Sequence, residues 1–354
     1  IEAGWLGGGN TGRNTTVIRS NYFYPESAAF YDLSVKLYEG LSKELNFNIM
    51  FSQRGMMMLA HDRHSVEMLH RAKNAMLLNG VDAEFLTFDQ VRKKVPILND
   101  GENAQYRVLG ALNQPRGGVA RHDAVAWAYA RAADRLGVDI IQNCPVTGFR
   151  QRGGRITAVE TAKGLIEADK VALAVAGHTS VLAKMAGFRL PITSYALQAM
   201  VTEPLKPVLD TVLLSTATGV YISQSDKGEL VVGGALDLYP SYAQRGNLPT
   251  VEHSWAGVID LFPAFSRLRM MRQWAGIVDV VHDSSPIIGK SPVDGLYLNC
   301  GWGTGGFKAI PAGGLTYAYT IAKGKSHPLV EAFGLERFPS GALIDEAAAS
   351  GIAH

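Results

Sequence analysis

Four glycines fall within Gly301-Trp302-Gly303-Thr304-Gly305-Gly306, just after the apolar run Leu296-Tyr297-Leu298-Asn299-Cys300. Glycines so spaced let backbone N–H groups approach an anion or a flat cofactor ring, and a following helix adds its positive end. Lys308 stands at that helix entry, where it can ligate an anion or simply face solvent. A second polar run, Asn14-Thr15-Thr16-Val17-Ile18-Arg19-Ser20-Asn21-Tyr22, carries an arginine able to clamp a carboxylate through two parallel hydrogen bonds. A surface salt bridge would explain Arg19 equally well. His122 follows Gly117-Gly118 at a helix start, where the helix dipole lowers its pKa and leaves a neutral nitrogen free as nucleophile or ligand. Asp123 beside it can stabilise the helix terminus. A lone histidine is more often structural. His61, His64 and His70 lack zinc-site spacing and read as exposed residues. His178 and His282 receive no role.

Apolar spacing at Phe30, Leu33, Leu37, Leu41 and Leu45 predicts a helix over 26–45. Residues 47–60 read as strand, and Met56-Met57-Met58 within them read as packing residues. Residues 63–79 and 88–94 read as helices, with Pro96 stopping the second. A helix is expected from His122 to Leu136, followed by a buried strand at Val138–Ile141. Residues 146–176 alternate, with turns at Gly153-Gly154 and Lys163-Gly164. That stretch ends in Val171–Gly177, read as a fully buried strand feeding a glycine turn at a cofactor edge. Antiparallel strands are expected at Tyr195–Val201, Gly219–Ser223 and Glu229–Gly233. Helices are expected at 251–262 and from about Ala312. Parallel segments at both ends and antiparallel ones between predict an α/β cofactor domain interleaved with an α+β substrate domain.

The 354 residues suffice for two cores, and 47% hydrophobic with 19% charged residues is ordinary globular usage. A net charge of +2, with Arg and Lys scattered, gives no reason to expect nucleic acid or a membrane as partner. No apolar run approaches the ~20 residues of a membrane span. The two cysteines form no disulfide framework and have no metal-ligand spacing, so a reducing cytoplasm and no signal peptide are expected. The opening Ile1-Glu2-Ala3-Gly4-Trp5 reads like the end of a buried strand with an acid at its tip. In a dinucleotide-binding unit such an acid lies about 20 residues after a glycine fingerprint and binds a ribose hydroxyl. No fingerprint is present, so roughly 50 residues carrying the first strand, phosphate loop and helix are expected to be missing.

In order along the chain, Glu2–Leu6, Arg13–Tyr22, Ala120–Asp123, Gln224–Leu230 and Gly301–Lys308 resemble the β subunit of heterotetrameric sarcosine oxidases. These belong to the glycine and D-amino-acid oxidase-like flavoproteins. The resemblance implies an FAD-binding Rossmann-like domain lacking its first βα unit (residues 1–35, 115–185 and 275–354). Interleaved with it would be an antiparallel-sheet substrate domain (36–114 and 186–274). It implies non-covalent FAD along Glu2, Arg13, Asn14, Thr15, Val146, Gly177, Gly303, Thr304, Gly305 and Gly306. FMN would be joined covalently to His122. The carboxylate of sarcosine would rest on Arg19 and Lys308. Sarcosine would become glycine and formaldehyde, or methylenetetrahydrofolate in a partner subunit. FAD would take the electrons and FMN would pass them to oxygen as hydrogen peroxide. Partner α, γ and δ subunits are implied, with NAD and tetrahydrofolate confined to them. Gly276 stands where monomeric relatives carry a flavin-linked cysteine, so no thioether can form there. Val231 stands at their oxygen-activating lysine and Ala235 near their histidine, which implies slow reaction of reduced FAD with oxygen. A dimethylglycine dehydrogenase-like demethylase, or a non-catalytic electron-transfer scaffold, are the alternatives. A nicotinamide-dependent dehydrogenase is disfavoured by the absent fingerprint.

Overall fold

The computed structural model describes residues 1–344 and 346, except the side chain of Ala235. In chain order its strands and helices begin β1 (Val17–Ile18), α1 (Pro25–Glu44), β2 (Met56–Ala60), α2 (Arg63–Leu78), β3 (Glu84–Thr87), α3 (Phe88–Lys94), β4 (Gly110–Gln114) and β5 (Gly118–Val119). Next come α4 (His122–Arg135), β6 (Val146–Arg152), β7 (Arg155–Thr161), β8 (Gly164–Glu167), β9 (Val171–Leu173), α5 (Thr179–Met185), β10 (Ile192–Pro204), β11 (Val212–Ser215) and β12 (Tyr221–Gln224). Then follow β13 (Glu229–Pro240), α6 (Leu248–Leu261), β14 (Met270–Val281), β15 (Ile287–Lys290), β16 (Leu296–Cys300), α7 (Gly306–Lys323) and the short α8 (Arg337–Ser340).

The main sheet has eight strands in the order β14-β10-β13-β12-β11-β2-β4-β3. Its strand pairs are antiparallel except β11 with β2. Alternation along β2 explains the methionine run. Met57 and Leu59 enter one core with Met200, Leu213 and Ile222, while Met56 and Met58 face another with Leu69 and Leu112. A smaller sheet, β15-β16-β9, holds the parallel pair β16–β9, and β6-β7-β8 form an antiparallel meander. Helix α1 starts with Pro25 at its first turn, where the missing N–H costs nothing. It packs on α7, burying Phe30, Tyr31, Tyr38 and Leu41 among Phe307, Ala309, Ile310 and Ala312.

Several expectations need correction. Strand structure within 47–60 is confined to β2, because positive φ at Met50 and Gly55 breaks the extended run, leaving Ser52 in an isolated bridge to Val119. Val138, Ile140 and Ile141 are exposed and form no strand. Ile141, Asn143 and Cys144 bond to the backbone of Glu2 and Gly4, too short a ladder to make a strand of Val138–Ile141. Ile1 and Trp5 are likewise exposed and not in a strand. β9 ends at Leu173 and is incompletely buried, since it is an edge strand with β16 as its neighbour. Helix α7 begins at Gly306 rather than near Ala312 and contains Pro311. The proline cannot bond to the Phe307 carbonyl, and the Tyr38 hydroxyl donates to that oxygen instead at 2.6 Å.

Candidate active site

A cavity of about 880 Å³ lies between the 10–23 segment, the main sheet and the start of α7. That size suits a small-molecule or cofactor cleft, roughly 300–1,000 Å³. One wall is the polar run after the N-terminal turn. It is laced to β14: Ile277 N–H donates to Asn10 Oδ1 at 2.9 Å, and Trp274 Nε1 donates to the Arg13 carbonyl at 2.7 Å. These bonds place Arg13, Asn14, Thr15 and Arg19 along the cavity. Packed against this segment and also lining the cavity are Met56 and Met58 of β2, Val212 and Leu214 of β11, and Tyr221 of β12. The methionines therefore pack, as the sequence predicts, and two of them also face the cavity.

Lys308 is 5% exposed and donates from Nζ to the Thr304 carbonyl at 2.9 Å. Its own carbonyl accepts from Ser34 Oγ at 2.6 Å, which ties α7 to α1. Burial pushes the Lys308 ammonium well below the usual lysine range, and the charge of Arg19 lowers it further. Arg19 donates to Asn21 Oδ1 at 2.5 Å and sits over the Tyr22 ring. Neither cation has a carboxylate within salt-bridge distance among the described residues. The buried Glu346 carboxyl feels Arg19 from farther off, while its oxygens accept from the Phe23 and Tyr24 N–H groups. The solvated-lysine and surface-salt-bridge readings both fall away.

Of the other expected residues, Gly303, Thr304 and Gly306 line the cavity, and Gly305, Gly177, Val146 and Glu2 do not. A Cβ on Gly305 would lie 2.3 Å from the Tyr31 hydroxyl, so this glycine serves close packing. Gly177 is pressed against Ile277 in the same way. Val146 opens β6 opposite Thr161. Glu2 is exposed, and its Oε1 accepts from Gly4 N–H at 2.9 Å. His122 begins α4 away from the cavity lining. Its Nδ1 is buried and has no hydrogen-bond partner among the described residues. Its pKa is lowered, as expected, but burial is the main cause. Asp123 pairs with Arg121 and accepts from Ala124 N–H.

Gly276 lines the cavity, whereas Val231 does not. Ala235 lies on β13 with its side chain outside the described residues. No metal-binding cluster occurs among the described residues, and His61 is half-buried against Ser215 Oγ rather than exposed. The sequence reading missed Asp279, Asp237, Gln198 and Glu346, all cavity-lining. An acid inside Gly276-Ile277-Val278-Asp279-Val280-Val281 is a signal in itself. Nothing local marks Glu346.

The cavity lining is mainly apolar, with buried polar residues such as Asp279, Gln198 and Lys308, and it is side-chain-free at Gly276, Gly303 and Gly306. A Cβ at Gly276 would already stand 3.3 Å from Asn10 Oδ1. Those features fit a flat redox ring approached by backbone. In keeping with this, a family model described as FAD dependent oxidoreductase matches residues 1–320, and the chain belongs to that family. The resemblance to sarcosine oxidase β subunits is also borne out. The chain is 55% identical to sarcosine oxidase subunit beta of Rhodobacter capsulatus, over 100% of this chain and 85% of the relative. The Arthrobacter sp. subunit is 53% identical, over 100% and 87%. Among solved structures, L-proline dehydrogenase from P. horikoshii superposes with a TM-score of 0.89 at 28% identity, covering 97% of this chain and 91% of that one. Glycine oxidase from Geobacillus kaustophilus has the same fold at a TM-score of 0.84 and 20% identity, over 94% and 90%. No helix among the described residues is long and apolar enough to cross a membrane.

Proposed function

We propose that this chain is the sarcosine-oxidising subunit of a cytoplasmic heterotetramer completed by α, γ and δ subunits. FAD would lie in the cavity and FMN would be covalently attached at His122. The observation that carries the reading is the pair Arg19 and Lys308, two cations on one cavity without a carboxylate partner of their own. A small amino acid's carboxylate supplies the missing anion. Arg19 can take it in two parallel hydrogen bonds and Lys308 as a point charge. Anchored there, the rest of the molecule extends along Met56, Met58 and Tyr221, whose apolar surfaces exclude water from the N-methyl group. Sarcosine would bind as the free amine, because an ammonium nitrogen has no lone pair to assist oxidation of the methyl carbon.

FAD when bound supplies the two-electron oxidation, and FMN supplies the route to oxygen and hydrogen peroxide. Gly303, Gly306 and Gly276 would hold the ring, with Arg13, Asn14 and Thr15 along its edge. The unpartnered His122 Nδ1 supports a modified histidine, because a buried polar nitrogen without a partner costs about 1–3 kcal/mol. The products are glycine and formaldehyde, or methylenetetrahydrofolate where a partner subunit captures the one-carbon unit. NAD is also assigned to a partner.

The likeness to L-proline dehydrogenase favours one second reading, a cyclic secondary amino acid as substrate. Anaerobic rapid mixing of the flavin-loaded enzyme with sarcosine, dimethylglycine and L-proline separates the two. Sarcosine is expected to bleach the flavin fastest. Faster bleaching by proline, or none by any amine, would overturn the proposal.

A further inference from the structure

Asp279 sits inside an apolar stretch of β14, opposite Ser194 of β10. It is 1% exposed, yet it lines the cavity that holds Lys308 and Gly303. Its Oδ2 accepts the Gly301 N–H at 2.5 Å, and the neighbouring Trp302 and Gly303 N–H groups lie near enough to favour its charged form. The carboxylate thus fills the nest made by the start of the glycine loop. Those donors do not overcome desolvation, because burial still pushes the Asp279 carboxyl up to about 6. No cation pairs with it among the described residues.

The fold does not need this charge. Asparagine has nearly the same shape and could accept the same N–H groups without desolvating an anion. A charge kept at such a cost, on the wall of a redox cavity, calls for an electrostatic role. Reduction by two electrons with fewer than two protons leaves extra negative charge in the cavity. A fixed carboxylate in a poorly screened setting opposes that charge, and charges beside a cofactor are a main means of tuning it. Filling the nest also removes N–H dipoles that would otherwise stabilise an anion there.

We propose that Asp279 is a positioning and tuning residue for the redox group of this cavity: its carboxylate, seated on the Gly301–Gly303 amides, lowers the group's reduction potential and so favours onward electron transfer. The inference rests on the reading that FAD occupies this cavity. Arg19 and Lys308 line the same cavity with the opposite sign of charge and favour negative charge there until a substrate carboxylate neutralises them.

The test is the midpoint potential of the cavity flavin in the holoenzyme, by equilibration with redox dyes, for wild type, Asp279→Asn and Asp279→Ser. Both variants remove the charge; Asp279→Asn retains an Oδ acceptor for the loop amide, and Asp279→Ser leaves a shorter polar side chain. At the wild-type midpoint potential, each is expected to hold a reduced-to-oxidised ratio about tenfold higher, equivalent to roughly 30 mV for a two-electron couple. Unchanged potentials with flavin fully bound would overturn the inference. So would loss of flavin from both variants, which would make Asp279 a structural anchor of the loop. A wild-type enzyme with no FAD in this cavity would defeat the reading beneath the inference instead.

Discussion

Lys308 and Arg19 line one cavity, and the arginine's charge lowers the pKa of a lysine that burial has already depressed. A half-buried arginine and a buried lysine beside it, neither with a carboxylate at salt-bridge distance among the described residues, repel each other on their own and are stabilised once an anion arrives. That imbalance is the physical basis for assigning carboxylate recognition to this pair.

Replacing Lys308 with Met should therefore separate binding from folding. Loss of a charged hydrogen bond costs about 1.5–3 kcal/mol, so the sarcosine KM should rise roughly 10–100-fold and flavin reduction should slow. Ligand-free stability should not fall, because the variant also removes a buried charge. Steady-state kinetics beside thermal melts check this. Unchanged reduction kinetics, or a protein that unfolds without ligand, would count against it.

The Asp279 carboxyl has a folded-state pKa of about 6 against an ordinary 3.8. The native state then binds more protons than the unfolded chain between those values. Stability is fully retained below the lower value and falls as pH rises through the upper one. The total is on the order of 3 kcal/mol at 1.36 kcal/mol per unit. Urea titrations at acidic and neutral pH should show this loss in wild type and not in Asp279→Asn. Equal pH dependence in the two proteins would refute it.

Arg337 and Asp283 form a buried two-point ion pair, with Nε to Oδ2 at 2.7 Å and Nη2 to Oδ1 at 3.0 Å. Arg337 also donates to the carbonyls of Ser285 and Phe333. Asp283→Ala strands this guanidinium among buried groups and should destabilise by about 3–5 kcal/mol. A urea midpoint close to wild type would contradict the pair's structural role.

His122→Ala should abolish any flavin that survives denaturation with the polypeptide, while leaving non-covalent FAD in place. Mass spectrometry of tryptic peptides reads both outcomes. An adduct found on another residue would remove His122 from the account.

Much of this arrangement was legible in the residues because local signals and tertiary packing agree there. The strand Leu296–Cys300 and the helices α1 to α4 follow apolar spacing and punctuation, and Arg19 and Lys308 stand in runs whose composition already suggested a ligand. Failures came where context overrides local pattern. Val138–Ile141 has the apolarity of a strand but no neighbour to complete a ladder. Pro311 reads as a barrier to helix, yet a hydroxyl from another helix satisfies the freed carbonyl. Glu346 reaches the cavity across more than 300 residues of sequence, a relationship with no periodic or local trace.

The most direct test is a crystal structure of the flavin-loaded enzyme with a small carboxylate such as acetate bound. The account predicts carboxylate oxygens about 3 Å from the Arg19 guanidinium and from Lys308 Nζ, beside the flavin ring. An anion held elsewhere, or a flavin distant from both side chains, would contradict it.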